Sequence, residues 1–307
     1  MHWNGSSWKV IPFSSPGQFA PYDILDVKPT NAWAVGTHYL ANGSVDRLQI
    51  EHWNGAAWSE FPAPFPAGGF SLDAVDGASA SDVWAVGTYV DAGNIRILTM
   101  HFNGTAWSFV PAPVPVLSSS NIYIGGVADI STTDAWVTGT SSIGGYSIFA
   151  MHWNGTTWTI VPTPAPVGDN SYTAGGVSGA AANDVWIVGS NVTTAIAYHW
   201  NGNVWSQVAT PNPEPSNWFT GVAAVSSSLT WAVGWSSGPF PGIPDPRAAR
   251  WDGTSWSASP VTNPAPGSRV SLSDVDALPN GQVVAVGKIY GDPHTFVLRG
   301  CEPATPL

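Results

Sequence analysis

The chain has little cysteine and little charge. Its one cysteine, Cys301, excludes an intrachain disulfide and a cysteine-rich metal cluster. Charged residues make up 9% of the 307 residues, and 9 Lys and Arg against 20 Asp and Glu give a formal net charge of −11. Nucleic-acid-binding proteins present basic stripes and anionic membranes attract basic segments, so this balance argues against both partners. No apolar run reaches about 18 residues, which predicts that no helix inserts into a membrane.

Short catalytic motifs are also missing. The sequence contains no nucleophile elbow, P-loop, dinucleotide-binding fingerprint or H-E-x-x-H segment. No signal peptide precedes the first repeat, so we interpret the chain as a mature or trimmed segment. Low Lys content, abundant Trp, Ser, Thr and Asn, and the acidic balance are typical of secreted bacterial repeat proteins. We therefore predict a secreted or cell-surface location.

The dominant feature is a repeat with a period near 50 residues. The segment 152–158, His-Trp-Asn-Gly-Thr-Thr-Trp, has counterparts at 2–8, 52–58, 101–107, 199–205 and 250–256, in steps of 47 to 51 residues. A second signature, Asp-Val-Trp-Ala-Val-Gly at 82–87, has counterparts at 31–36, 134–139, 184–189, 230–234 and, without the Trp, 282–287. Self-similarity at such a period indicates a propeller or another repeat array.

Each repeat is predicted to form four short strands. In the third repeat these are residues 124–128, 135–139, 147–153 and 158–161. Between the last two strands, Asn154-Gly155 predicts a two-residue turn in which both residues have positive φ. The proline-rich segment 162–166 cannot extend a sheet ladder, so it marks the crossing to the next unit.

Six copies of this unit predict an all-β, six-bladed β-propeller with four antiparallel strands per blade. The inner strands begin near six positions: Tyr22, Phe70, Tyr123, Tyr172, Phe219 and Ser271. The last unit, 272–299, has inner strands but no closing strand, whereas the N-terminus has a closing strand but no inner ones. We therefore expect the strand 8–11 to complete the sixth blade and close the ring. The predicted organisation is one propeller domain over 1–300 and a C-terminal tail over 301–307.

The two signatures resemble the tandem repeats of secreted bacterial β-propellers. Those proteins are grouped loosely with kelch and galactose-oxidase-like propellers, and the pattern is similar, more distantly, to tectonin-type propeller lectins. The kelch di-glycine is present only at Gly125-Gly126 and Gly175-Gly176. Galactose-oxidase chemistry has no counterpart, because the single cysteine is in the tail. The resemblance implies a fold and does not specify an activity.

Repeated histidines and tryptophans invite functional interpretations that the period argues against. Five histidines occupy one repeat position, so each lies on a different blade, whereas a metal needs ligands converging to roughly 2.0–2.1 Å from one point. The tryptophans of the second strands are expected to fill the space between blades; they are residues 33, 84, 136, 186 and 231. The outer set could pack in the same way or present exposed rings that stack on ligands; it comprises residues 8, 58, 107, 158, 205 and 256.

The fifth repeat departs from the pattern. It adds Trp218 in the loop that precedes its first strand, and its second loop, the longest, contains Trp235 and Phe240. Propellers keep their blades constant and vary the loops that bind ligands. We predict that Trp218, Trp235 and Phe240 form an aromatic binding site. The alternative is a proline-rich loop that only shields a sheet edge.

Aspartates form a second departure. Asp76 and Asp276 align when counted back from the second-strand Trp position, and Asp26 aligns with one gap. Three more aspartates lie close by on the same strands: Asp23, Asp73 and Asp274. Carboxylates converging near an axis could bind Ca²⁺ through oxygen ligands, or form an acid/base pair. The alternative is a solvated rim of turn residues, since successive strand residues point in opposite directions.

The sequence favours a non-catalytic extracellular recognition propeller without a cofactor, which binds glycans or a protein surface through Trp218, Trp235, Phe240, Asp26, Asp76 and Asp276. The alternative function is a hydrolase or lyase that acts at the axial mouth through the inner-strand aspartates. The sequence is compatible with an axial Ca²⁺ ion and does not decide whether one is bound. Fold alone does not decide, because propellers host binding and catalysis alike.

Overall fold

A computed structural model of the protein describes residues 2–3, 6–115, 121–142, 145–164, 171–237, 243–277, 282–292 and 295–300. These residues form 25 β-strands joined by turns and loops. They contain no helix, and so none that could cross a membrane.

The strands form six antiparallel sheets in which strand order follows chain order. A short hairpin comes first, of strands β1 (His2–Trp3) and β2 (Trp8–Lys9). The first three sheets contain β3 (Phe19–Lys28), β4 (Asn31–Tyr39), β5 (Val45–Trp53) and β6 (Trp58–Glu60); β7 (Gly69–Ser79), β8 (Asp82–Asp91), β9 (Asn94–Phe102) and β10 (Trp107–Phe109); and β11 (Ile122–Ser131), β12 (Asp134–Ser141), β13 (Ser147–Trp153) and β14 (Trp158–Val161).

The last three sheets contain β15 (Tyr172–Ala181), β16 (Asp184–Asn191), β17 (Thr194–Trp200) and β18 (Trp205–Val208); β19 (Ser216–Ser226), β20 (Leu229–Ser237), β21 (Asp245–Trp251) and β22 (Trp256–Ser259); and β23 (Val270–Ala277), β24 (Val283–Ile289) and β25 (Thr295–Gly300). The sixth sheet thus has three described strands, where four were predicted from a contribution by residues 8–11. Trp8 pairs with Trp3 within the N-terminal hairpin, as the repeat predicts, and completion of the sixth blade by residues 8–11 stays a prediction.

This succession of four-stranded meanders confirms the six-bladed β-propeller fold class. The repeat sets the strand positions closely: the last two strands of the third sheet, β13 and β14, have the predicted bounds. By its internal contacts the chain divides into two compact units, residues 1–135 with 152–159 and residues 136–151 with 160–307. The single domain over 1–300 stays a prediction.

Tryptophans of the repeat build the core of the first unit. Trp33 and Trp84 are at most 1% exposed. Trp33 packs edge-on against Trp107 of the second sheet at 5.3 Å, and Trp84 packs against Trp158 of the third sheet at 4.9 Å. Aromatic edge-to-face pairs of this kind add to the stabilisation from buried apolar area. The second-strand tryptophans therefore join consecutive sheets, as predicted.

The second unit repeats this packing. Trp136 lies 5.1 Å from Trp205, and Trp186 lies 5.1 Å from Trp256, both close to perpendicular. Trp231 packs among Val and Leu side chains of the fifth and sixth sheets. The outer tryptophans Trp107, Trp158, Trp205 and Trp256 are buried, so these four have the packing role rather than the exposed one.

The two sequence signatures are joined by a hydrogen bond. His101 of the second sheet stacks its ring on Trp84 at 4.5 Å, and its Nε2 lies 2.7 Å from the Asp82 carboxylate. His152 makes the same contact to an aspartate, as does His199. Because His101, His152 and His199 each pair within their own sheet, these three repeated histidines are structural.

The Trp-Asn-Gly-x-x-Trp turn differs from the prediction. Trp53 pairs directly with Trp58, which leaves a four-residue loop instead of a two-residue turn. Only Gly55 in this loop has positive φ, at 93°. Asn54 accepts a hydrogen bond from the Ala57 N–H at 3.0 Å through its side-chain oxygen, so it acts as an acceptor that closes the loop. The predicted type of turn is therefore wrong, although its position is right.

The glycine that ends the second signature has a steric cause. A Cβ atom on Gly87 would lie 2.1 Å from the Ser71 carbonyl oxygen of the neighbouring strand. The equivalent glycines of the first, fourth, fifth and sixth sheets would meet a backbone oxygen at 2.1 to 2.4 Å. The first two strands approach too closely here for any side chain.

Candidate functional site

Trp218 and Trp235 form a stacked pair at one end of the fifth sheet. They lie directly opposite each other on β19 and β20, with ring centroids 3.8 Å apart and planes inclined by 16°. Both are half-buried. Pro246 on β21 is buried, lies opposite Trp235 and packs as an apolar residue on the third strand. We call Trp218 and Trp235 the tryptophan stack.

The tryptophan stack replaces a polar pair of the repeat. In the second sheet the equivalent residues are Ser71 and Thr88, whose hydroxyl oxygens are 2.8 Å apart. In the fourth sheet they are Thr173 and Ser190. These smaller residues complete the same sheet architecture, so sheet formation does not require the two indole rings.

A buried polar cluster supports the tryptophan stack from the other face of the sheet. Arg247 is 6% exposed and donates hydrogen bonds to the Asn217 side chain and the Pro211 carbonyl oxygen. Its guanidinium also lies over the Phe219 ring, 4.9 Å from the centroid. Burial lowers the pKa of Arg247 to about 10. These contacts fix the start of β19, where Trp218 lies, and order the preceding loop.

Phe240, the third predicted aromatic residue, lies outside the described residues. The structure therefore brings together two of the three residues predicted for the aromatic site. Sequence reasoning placed them in loops, whereas both lie within strands.

The predicted aspartates do not share one register. Asp76 and Asp276 both lie opposite the second-strand position that Trp occupies in most repeats. In the first sheet that place belongs to Leu25, and Asp26 lies opposite Ala32. Because alternate strand residues point to opposite faces, the alignment of Asp26 with the other two is wrong by one residue. The predicted binding role of all three aspartates stays a prediction.

Inner-strand aspartates of the first unit accept backbone hydrogen bonds from the next sheet. Asp23 accepts from Val75 N–H at 2.9 Å, and Asp76 accepts from Asp129 N–H at 2.8 Å. Asp129 in turn accepts from Ala78 N–H at 3.0 Å. These bonds occupy carboxylate oxygens in holding consecutive sheets together, which is a structural use that sequence reasoning missed.

Asp274 and Asp276 form an exposed acidic pair on β23. Their side chains are two residues apart, beyond the bulge of the strand, and so point to the same face. Neighbouring protein atoms exclude part of the bulk water from the Asp274 carboxyl, which raises its pKa to about 6. A hydrogen bond from Val275 N–H opposes this shift, and the charge of Asp276 adds to it.

A cleft of about 460 Å³ opens in the first unit. We call it the tyrosine cleft; its lining residues are Tyr22, Ser71, Asp73, Thr88, Ile95 and 121–124. Tyr22 and Tyr123 are 52% and 54% exposed.

Within the described parts of the chain, no group of three or more His, Cys, Asp and Glu side chains is placed to hold a metal ion. The axial Ca²⁺ stays a prediction.

No protein-family model matches the chain. No curated protein matches it either. Solved structures do share its fold. A xyloglucanase from Xanthomonas campestris superposes with a TM-score of 0.60 at 17% identity, over 92% of this chain and 44% of that one. This chain thus spans less than half of that xyloglucanase.

Two further structures are similar. YCF48 bound to a D1 peptide has a TM-score of 0.54 at 13% identity, over 93% of this chain and 79% of that one. A PL25 ulvan lyase bound to a saccharide has a TM-score of 0.55 at 11% identity, over 86% of this chain and 75% of that one. At these identities the similarity establishes the propeller fold alone.

Proposed function

We propose that this protein is a non-catalytic recognition propeller that binds glycans, with the tryptophan stack as the main contact surface. The single observation that carries the proposal is the replacement, in one sheet, of a hydroxyl pair by two stacked, half-buried indoles. Flat aromatic faces stack on the apolar faces of sugar rings, and neighbouring polar groups fix their orientation.

The rigid surroundings of the tryptophan stack support this proposal. The Arg247–Asn217 cluster holds the strand behind Trp218, so little conformational freedom is lost when a ligand binds. The fold is compatible with several ligands: the neighbours above include a xyloglucanase, an ulvan lyase bound to a saccharide and YCF48 bound to a peptide. We further propose a secreted or cell-surface location and no nucleic-acid or membrane-inserted partner, on the strength of the acidic, lysine-poor composition. The kelch and tectonin relationships remain part of this proposal.

The repeat itself supplies a sharp test. A Trp218→Ser/Trp235→Thr variant gives the fifth sheet the polar pair that the second sheet already tolerates. We expect the variant to fold and to lose binding on a broad glycan array by at least about tenfold. Tyr146→Ser, which removes another exposed aromatic ring in the same unit, is the matched control and should bind like the wild type. Binding retained by the double variant would refute the role of the tryptophan stack, and silence of the wild type across the array would refute glycan recognition.

A hydrolase or lyase is the second candidate, and the Asp274–Asp276 pair is the observation that favours it. A carboxyl group with a pKa of about 6 can exchange a proton near neutral pH. This candidate predicts release of reducing or unsaturated ends from a polysaccharide panel, lost in Asp274→Asn. Absence of turnover in the wild type across that panel would reject it.

A further inference from the structure

The tyrosine cleft is separate in sequence from the tryptophan stack, but it uses the same repeat position. Ser71 and Thr88 of the cleft are the counterparts of Trp218 and Trp235. A volume of about 460 Å³ lies within the range of about 300–1,000 Å³ that is usual for small-molecule sites. The cleft is therefore large enough for part of a saccharide.

Hydrogen bonds inside the cleft leave it rich in acceptors. Ser71 Oγ donates its one proton to Asp73 Oδ2 at 2.8 Å. The contact between Ser71 Oγ and Thr88 Oγ1, also 2.8 Å, must then use the proton of Thr88. Both hydroxyl protons are thus committed, while Asp73 Oδ1 and the lone pairs of Thr88 can still accept. A ligand that supplies donors matches this arrangement.

The negative charge of the cleft also favours a ligand that carries hydrogen-bond donors. Among the lining residues that the structure describes, Asp73 is the only acidic one, and none is Lys, Arg or His. The nearest arginine along the chain, Arg96 beside Ile95, is paired with Asp91 at 3.8 Å. Burial raises the pKa of Asp73, and the Ser71 hydrogen bond lowers it. A cation placed next to this partly desolvated carboxylate favours its charged form.

The exposed rings of Tyr22 and Tyr123 complete the site. Tyr22 is oriented by a 2.9 Å hydrogen bond between its hydroxyl and that of Tyr39. Tyrosine faces attract cations and also stack on the apolar faces of sugar rings. An ammonium group carries three donors and no acceptor, which suits the free acceptors of Asp73 and Thr88.

We propose that the tyrosine cleft binds an amino sugar, with the ammonium group at Asp73 and the sugar ring against Tyr22 or Tyr123. This inference deepens the proposed glycan-binding function and rests on it for the saccharide part. It adds a second subsite and a ligand chemistry, a glucosamine-type residue with a free amine.

The test compares two tetramers that differ only in charge: fully deacetylated glucosamine tetramer and N-acetylglucosamine tetramer, titrated calorimetrically at low salt. We expect the glucosamine tetramer to bind at least about tenfold more tightly than the acetylated one, and Asp73→Asn to remove that difference. Glu60→Gln, which removes an exposed carboxylate of the same unit outside the cleft and leaves Arg47 paired with Asp46, is the matched control and should retain the preference. Tyr123→Ala should weaken binding of the glucosamine tetramer, and thermal melts establish that each variant is folded.

Several outcomes would overturn the inference. These are equal binding of the two tetramers, a preference that survives Asp73→Asn, or an equal loss in Glu60→Gln, which would mean attraction to the overall negative charge. Tetralysine binding as tightly as the glucosamine tetramer, with the same dependence on Asp73, would overturn the sugar assignment. The Trp218→Ser/Trp235→Thr variant separates the two proposals: it should bind the glucosamine tetramer normally. Array binding without any glucosamine preference would reject only the cleft.

Discussion

Asp129 provides the sharpest test of the packing between the second and third sheets. Its side chain is 8% exposed, and its Oδ1 has no hydrogen-bond partner. Burial raises its pKa to about 8; the Ala78 N–H opposes the shift, and the charges of Asp82, Asp76 and Asp134 add to it. The perturbation is Asp129→Asn, which keeps an acceptor for Ala78 and removes the titration.

The sign follows from proton binding. Between pH 3.8, the ordinary value, and about 8 the folded protein holds the Asp129 proton while the unfolded chain releases it. The contribution of Asp129 to stability is therefore complete below about pH 4 and is lost as the pH rises to about 8. A shift of about 4 pKa units corresponds to about 5 kcal/mol across that window. This is large against the typical total stability of about 5–15 kcal/mol.

We expect Asp129→Asn to match the wild type in free energy of unfolding at pH 4 and to exceed it by up to about 5 kcal/mol at pH 8. Urea unfolding at intervals of one pH unit, followed by tryptophan fluorescence, measures this difference. Only the difference between the two proteins is informative, since Asp274, whose pKa is raised to about 6, also titrates in this range. Asp252→Asn is the control: Thr254 and Ser255 lower the pKa of that exposed carboxyl to about 2, so its difference from the wild type should not change between pH 4 and 8. A stability difference for Asp129→Asn that is independent of pH would refute the reasoning.

Two further predictions concern stability, both measured by urea unfolding at neutral pH. Gly87→Ala should lower the free energy of unfolding by about 3 kcal/mol, because the added Cβ would overlap the Ser71 carbonyl oxygen. Gly93 has φ +80° and no atom within 4 Å of the added Cβ, so Gly93→Ala should lower it by only about 1 kcal/mol, from backbone strain alone. Equal losses would contradict the close approach of the two strands. Glu51 is fully buried and accepts hydrogen bonds from both the N–H and the hydroxyl of Ser14. Glu51→Ala should therefore lower the free energy of unfolding by about 3 kcal/mol and make the N-terminal segment more susceptible to proteolysis. Ser14→Ala, the milder control, should cost about 1 kcal/mol, and an unchanged cleavage rate in Glu51→Ala would reject this anchoring role.

The architecture could be predicted from the sequence because every repeat carries its own local information. Alternation of apolar residues, the loop after Trp153 and the prolines after β14 define four strands per unit without reference to the rest of the chain. Because the unit recurs, equivalent residues of consecutive sheets are expected to pack against each other, and the burial of Trp84 and Trp186 confirms this. Trp218 and Trp235 were found for the same reason, as aromatic residues that the repeat does not need.

The tertiary structure decided how distant residues meet. The separation of Trp218 and Trp235 in sequence does not reveal that their rings stack at 3.8 Å, because that depends on the register of β19 against β20. Register also moved Asp26 out of line with Asp76, since a shift of one residue turns a strand side chain to the other face.

Burial, too, came only from the assembled sheets. Asp129 carries no sequence signal that separates it from a solvated turn residue, yet the third sheet places it among other carboxylates and away from water. The tyrosine cleft combines residues from three sheets, none of which is unusual within its own strand. Repeated local patterns fix the strands and their packing, whereas hydrogen-bond partners, pKa values and clefts depend on side chains that only the fold brings within a few ångströms of one another.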